Sequence, residues 1–180
     1  MGLKIVAQKE IWTADSWQLH EMQIETPNGQ VVTKGMVNHP GAVVLVPIRR
    51  RETGVEILML QQYRVTLGQT ILELPAGTRE WGEDFLLCAQ RELREETGFR
   101  ADSFTPLGQV WPAPGLSNEL LALYLAEGLH PDPLDGDVDE LIEVVAMPLP
   151  ELVAMAQDGR LQDAKSVVGV LRTAVYLQSN

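Results

Sequence analysis

Apolar and polar positions alternate through residues 3–37 in a way that predicts one strand followed by a hairpin. The segments 17–26 and 30–37 flank Pro27-Asn28-Gly29, and an Asn-Gly pair between alternating runs is a strong short-range hairpin signal. A lone hairpin is marginal in water, so this layer needs a partner surface on the main body or on a second subunit. His39-Pro40-Gly41 breaks the pattern and sets an expected boundary, with an N-terminal antiparallel β layer at 1–40 and the main domain at 41–180. Residues 42–48 are apolar without alternation, as in a strand buried on both faces. Strands are expected at 55–61 and 70–74, the latter stopped by Pro75-Ala76-Gly77, and further on at 107–111, 119–126 and 141–147. The period changes to that of a helix over 83–97, with Gly98 as the C-terminal stop, and again over 150–157 and 165–177. Mixed strands with helices packed on them predict an α/β or α+β sandwich.

The helix at 83–97 carries the chemistry. With about 100° per residue and Glu92 set at zero, Glu95 falls near roughly 300° and Glu96 near roughly 40°. Leu86, Ala89 and Leu93 fall between roughly 60° and 120° and form the expected buried stripe, while Arg91 and Arg94 lie toward solvent. Three carboxylates therefore border the core. Each like-charge pair at i,i+3 or i,i+4 costs a few tenths of a kcal/mol, and the C-terminal half of a helix disfavours anions by roughly another 0.3–1 kcal/mol each. Two readings fit this pattern. One is a solvated acidic face balanced by Arg91 and Arg94; the other is a set of hard oxygen donors that needs Mg²⁺ or Mn²⁺.

Composition narrows the partners. The 180 residues hold 25 acidic and 14 basic side chains, a formal net charge of −11. A nucleic-acid binder needs a basic surface, so polymers are disfavoured, whereas small anions remain open if metal ions screen the charge. Hydrophobic content of 45% is enough for a folded core. No run approaches the ~20 apolar residues of a membrane span. Cys88 is the single cysteine, which excludes an intrachain disulfide and suits a reducing compartment. With no signal-peptide pattern at the start, the expected location is cytoplasmic.

The full spacing over 77–99 discriminates between the two readings of the acidic helix. It runs Gly77, five residues, Glu83, seven residues, then Arg91-Glu92-Leu93-Arg94-Glu95-Glu96-Thr97-Gly98-Phe99, and it resembles the Nudix box at every fixed position. Most of its nine constrained positions hold a given residue type only about 5–7% of the time, so chance is a poor explanation. The resemblance implies a Nudix-type α/β/α sandwich with a mixed sheet, and metal-dependent hydrolysis of a diphosphate joined to a nucleoside. It assigns metal ligation to Glu92 and Glu96 above all, Glu95 as partner or auxiliary ligand, and the Ala76 carbonyl as a further ligand. Arg91 would pair with a nearby carboxylate.

Four further segments resemble the ADP-ribose pyrophosphatase branch of that family: Gln61-Gln62-Tyr63-Arg64, the stretch 71–77, the stretch 114–119, and Asp139-Glu140-Leu141-Ile142-Glu143-Val144. Pro114, 16 residues beyond Gly98, keeps the spacing associated with that branch. The resemblance implies a nucleoside diphosphate sugar as the small-molecule substrate. Arg64 is then expected on the diphosphate, and Glu73 is either a site acid or the partner of Arg64. Gly115 and Glu119 are expected near the terminal ribose. The general base is expected on the loop before the late strand, at Glu140, with Asp137 and Asp139 as alternatives. Trp12 and Trp17 would stack on adenine or simply bury area. A homodimer and Mg²⁺ (or Mn²⁺) are implied. GDP-mannose or an oxidised nucleotide is an alternative substrate, and a nucleotide sensor without turnover is the alternative from outside the enzymes.

Overall fold

The computed structural model describes residues 2–136 and 141–179. Three strands come first: β1 (Lys4–Thr13), β2 (Gln18–Glu25) and β3 (Val31–Asn38). They pair antiparallel in the order β1-β2-β3 as a separate sheet. The turn between β2 and β3 uses Gly29 at φ 81°, the left-handed conformation that the Asn-Gly signal anticipates.

The main sheet is built from β4 (Ala42–Arg51), β5 (Gly54–Arg64), β6 (Gln69–Glu73) and β7 (Ala76–Thr78), then, after helix α1 (Phe85–Thr97), from β9 (Ser103–Val110), β10 (Leu121–Glu127) and β12 (Ile142–Pro148). Its main path is β12-β5-β4-β10-β9, with β6 on β5 and β7 on β4. Only β4 and β10 run parallel among the described pairs. Two short strands, β8 (Phe99–Arg100) and β11 (His130–Pro131), pair beside it, and helices α2 (Leu149–Asp158) and α3 (Ala164–Ser179) follow.

The unbroken apolar run of β4 is explained by helices on both faces. Val44, Val46 and Ile48 point into a core shared with Leu152 of α2 and Val170 of α3. Val43 and Leu45 point the other way, onto Cys88, Ala89 and Leu93 of α1. Alternate residues of one strand thus serve two cores, and the layers are α/β/α. Gly169 lets α3 approach closely, because a Cβ there would lie 2.4 Å from Leu74 Cδ1.

Two local expectations differ from the structure. The strand before Pro75 stops as expected, with β6 ending at Glu73, but Ala76 to Thr78, expected only as the break, forms the short strand β7 because it finds a partner in β4. Leu86, expected in the buried stripe, is 40% exposed. It sits in the first turn of α1, where Phe85 packs against the core instead. The buried residues are Cys88, Ala89, Glu92, Leu93, Glu96 and Thr97, so Glu92 and Glu96 lie within the buried arc.

Candidate metal centre and substrate cleft

α1 starts cleanly. Asp84 caps it, accepting hydrogen bonds from the backbone N–H of Leu86 at 2.8 Å and of Leu87 at 3.3 Å. Gly98, at φ 75°, ends it in the left-handed conformation, with its N–H donating to the Arg94 carbonyl at 3.1 Å. Glu83 stands one residue before the cap and accepts from the Glu80 N–H at 3.0 Å, closing the loop that leads in from β7.

The helix lies so close to β7 that Gly77 has no alternative. A Cβ on residue 77 would lie 1.8 Å from the Glu92 carboxyl carbon and 2.1 Å from each of its oxygens. The missing side chain of Gly77 is therefore the space that holds the Glu92 carboxylate. Beside it, the Ala76 N–H donates to Glu96 Oε2 at 2.8 Å. Glu92 and Glu96 are only 8% and 6% exposed.

Arg91 binds the acids together. Its guanidinium donates to Glu92 Oε1 at 2.6 Å, to Glu95 Oε2 at 2.9 Å, to Glu83 Oε2 at 3.2 Å and to the Thr78 carbonyl at 3.3 Å. It was expected on the solvent side; its long stem folds back across the site instead. Burial alone would raise the Glu83 carboxyl, but hydrogen bonds from Arg91 and Glu80 outweigh it and hold the group below the usual glutamate value. Burial would lower the Arg91 pKa, yet Glu83 and Glu92 raise it, so its charge is fixed. Cys88 is pushed upward by burial and by the charges of Glu92 and Glu83, which makes it an inert packing thiol.

Part of the counter-charge these acids require is thus supplied by the protein. Four carboxylates and one guanidinium still leave this group of five side chains at a net −3. Among the described residues no three acids converge on a single point, since Glu92 and Glu95 turn toward Arg91 while Glu96 turns toward Ala76. The donor set nevertheless fits a hard divalent cation: carboxylate oxygens, concentrated negative charge and a cradle at Gly77 with no side chain in the way. Glu92, Glu95 and Glu96 would hold it, with the Ala76 carbonyl on the adjoining strand end.

A cleft of about 770 Å³ opens beside these acids, lined by Ala76, Gly77, Thr78, Arg79, Arg91, Glu92 and Glu95, and also by Arg64, Trp81, Asp15 and Ser16. Arg64 is held by a bidentate pair to Glu73, Nε to Oε1 at 2.8 Å and Nη2 to Oε2 at 2.9 Å. Glu73 is 1% exposed and also accepts from Lys165 at the start of α3. Lys165 in turn is anchored to Asp163 at 3.0 Å. Of the two roles anticipated for Glu73, the geometry favours partner of Arg64, because its oxygens are committed behind the cleft wall.

Other expected residues lie elsewhere. Gly115 lines a separate groove of about 730 Å³ formed with Leu116, Ser117 and Asn118 against Lys34, Gly35 and Met36 of β3. Glu119 faces His39, with Nε2 to Oε1 at 3.9 Å. Trp12 and Trp17 stack edge to face on each other at 5.1 Å across the β1–β2 turn. The tip of that turn, Asp15 and Ser16, reaches the cleft instead of the rings. Glu140, Asp139 and Asp137 lie outside the described residues. Arg79, Asp15, Ser16 and Lys165 were not singled out from the sequence. Arg79 occupies an unconstrained position of the box, and the others carry no local signal.

Residues 38–168 match the family model described as NUDIX domain. The chain belongs to the Nudix family. Among its relatives it is 34% identical over 169 residues to the methanol dehydrogenase activator of Bacillus methanolicus and 32% identical over 169 residues to the ADP-ribose pyrophosphatase of Bacillus subtilis. Each alignment covers 93% of this chain and 90% of the relative. The crystal structure of an ADP compounds hydrolase superposes with a TM-score of 0.84 at 23% identity, covering 99% of this chain and 96% of that one, which establishes the shared fold.

Proposed function

We propose that this protein hydrolyses the diphosphate bond of ADP-ribose or a related nucleoside diphosphate sugar, releasing a nucleoside monophosphate and a sugar phosphate. The observation that carries this reading is one cleft that joins the acids of α1 to Arg64. A carboxylate set alone would suit any divalent cation. Joined to a guanidinium held by the buried Glu73, it suits a metal-bound diphosphate.

Mg²⁺, or Mn²⁺ in its place, is the cation we assign, with Glu92 and Glu96 as principal ligands, and Glu95 and the Ala76 carbonyl beside them. A bound cation would neutralise phosphoryl oxygens and lower the pKa of a water molecule. The chain's own contribution is positional. Arg91 holds Glu92 and Glu95 in register and Arg64 fixes the diphosphate. The loop carboxylate, for which Glu140 is proposed ahead of Asp139 and Asp137, takes the proton from the attacking water. Gly115 and Glu119 are proposed to meet the distal sugar, and Trp12 and Trp17 the adenine, by way of a second subunit.

A homodimer built on the N-terminal sheet fits the exposure of β1, where Ile5, Ile11 and Trp12 are 50–54% exposed. We place the protein in the cytoplasm, acting on a free small molecule with no role for nucleic acid or membrane. The test is purified protein with Mg²⁺, offered ADP-ribose, GDP-mannose, dinucleoside polyphosphates and nucleoside triphosphates, with phosphorylated products resolved by chromatography. Preferential turnover of ADP-ribose supports the reading. Tight nucleotide binding without turnover would make the protein a sensor. A wide preference for triphosphates would remove the ADP-ribose assignment.

A further inference from the structure

Three guanidiniums line the cleft, and their partners differ. Arg91 is shared among Glu83, Glu92 and Glu95. Arg64 is paired with Glu73. Arg79 has no carboxylate partner among the described residues, and its Nε is buried without a hydrogen-bond acceptor. Its position is nevertheless fixed. The guanidinium carbon packs 4.0 Å from the centroid of the Phe85 ring, and its backbone N–H donates to the Gly41 carbonyl at 3.0 Å. Gly41, at φ 97°, makes room for that ring, since a Cβ there would meet Phe85 Cζ at 3.2 Å. An aromatic face and a backbone hydrogen bond hold the residue in place, and neither occupies a guanidinium N–H.

We propose that Arg79 is an anion-binding residue of this cleft, donating to a phosphoryl oxygen of the substrate diphosphate without the mediation of a metal. Arginine's planar fork matches phosphate oxygens. The buried Nε has no acceptor among the described residues, so the guanidinium is not committed to a protein partner there and its fork stays available to a ligand. The cleft is otherwise dominated by acids, so a cation with no carboxylate partner among the described residues offsets the repulsion of an incoming anion. The residue lies between Gly77 and Glu83, on the loop that leads from the Glu92 cradle into α1, and so forms the wall next to the acids. The family spacing leaves this position open, which makes Arg79 a feature of this chain and not of the box.

This inference rests on the reading of the cleft as a diphosphate site, and two measurements keep the two separable. The first is steady-state kinetics of R79Q with ADP-ribose and Mg²⁺. The expected result is a KM raised about ten- to hundredfold with kcat within about threefold, the signature of a lost binding contact. The second is calorimetric binding of inorganic pyrophosphate to metal-free protein, expected to weaken by a similar factor in R79Q. R79K, which keeps the charge and loses the fork, should fall between. If the wild type turns over no nucleotide, yet pyrophosphate binding is lost in R79Q, the proposed activity fails and the role of Arg79 stands. If R79Q lowers Tm while KM and pyrophosphate affinity match wild type, Arg79 is a clasp on Phe85 only, and the inference is overturned. Should R79Q not fold, R79K decides: a KM and pyrophosphate affinity equal to wild type overturn it, and a rise of about threefold or more in both constants supports it.

Discussion

Replacing Gly77 with alanine separates the proposed chemistry from the fold. The added methyl would lie 1.8 Å from the Glu92 carboxyl carbon, and ordinary contact begins at 3.4 Å, so that carboxylate must retreat by about 1.6 Å. The three nearest atoms all belong to the far end of the flexible Glu92 side chain. The fold can therefore absorb the change by letting Glu92 swing away, at a cost below the ~1–3 kcal/mol typical of overpacking a rigid core. For a chain of this size that is a loss of only a few degrees in Tm. Catalysis has no such freedom. A misplacement of about 1 Å at a reacting centre costs on the order of a hundredfold, or roughly 2.7 kcal/mol of barrier. The assay pairs thermal unfolding with kcat for ADP-ribose and a Mg²⁺ titration. Expected are a Tm lowered by no more than a few degrees, kcat reduced at least about a hundredfold, and a higher Mg²⁺ requirement. A G77A protein with kcat within about threefold of wild type would refute the reasoning, because Glu92 could then not be acting from the cradle the structure shows.

Other perturbations have equally definite signs. Glu96→Gln keeps the acceptor for the Ala76 N–H but removes a charged donor, so kcat should fall by orders of magnitude with an unchanged circular dichroism spectrum; near-normal turnover would remove Glu96 from the metal set. Glu73→Ala removes the buried carboxylate that Arg64 and Lys165 share, and leaves Lys165 with Asp163. Losing the carboxylate between the two cations should cost about 3 kcal/mol, the low end for breaking a buried pair because Lys165 keeps Asp163, or roughly 6–12 °C in Tm, and should raise KM as Arg64 loses its place; an unchanged Tm would show the pair to be dispensable. Glu83 has its native pKa held below the ordinary 4.5 by Arg91, so its contribution to stability is present above that value and is lost as pH falls through the lower native pKa. The Tm difference between wild type and E83Q should therefore be constant near neutrality and shrink below about pH 4.5; a gap that widens there would reverse the sign.

Much of the site was legible because the box is a spacing, and spacing on a helix is geometry. Glu92 and Glu96 were expected on one face beside the core, and they are buried there. The same rule misplaced Leu86, because its neighbour Phe85 fills that end of the core instead. It also set Arg91 toward solvent, because a wheel locates Cα and not the end of a long flexible side chain. β7 was hidden by Pro75, yet three residues sufficed once β4 offered hydrogen bonds. The Glu73–Lys165 pair joins positions 92 residues apart, and nothing local announces it. Arg79 was equally silent. Its significance lies in having no carboxylate partner among the described residues, which only the packed cleft reveals.

The most direct measurement is hydrolysis of ADP-ribose by the purified protein, with and without Mg²⁺. Release of nucleoside monophosphate and sugar phosphate, abolished by a chelator and restored by added Mg²⁺, is the result expected. Saturable binding of ADP-ribose with no hydrolysis at any Mg²⁺ concentration would contradict it.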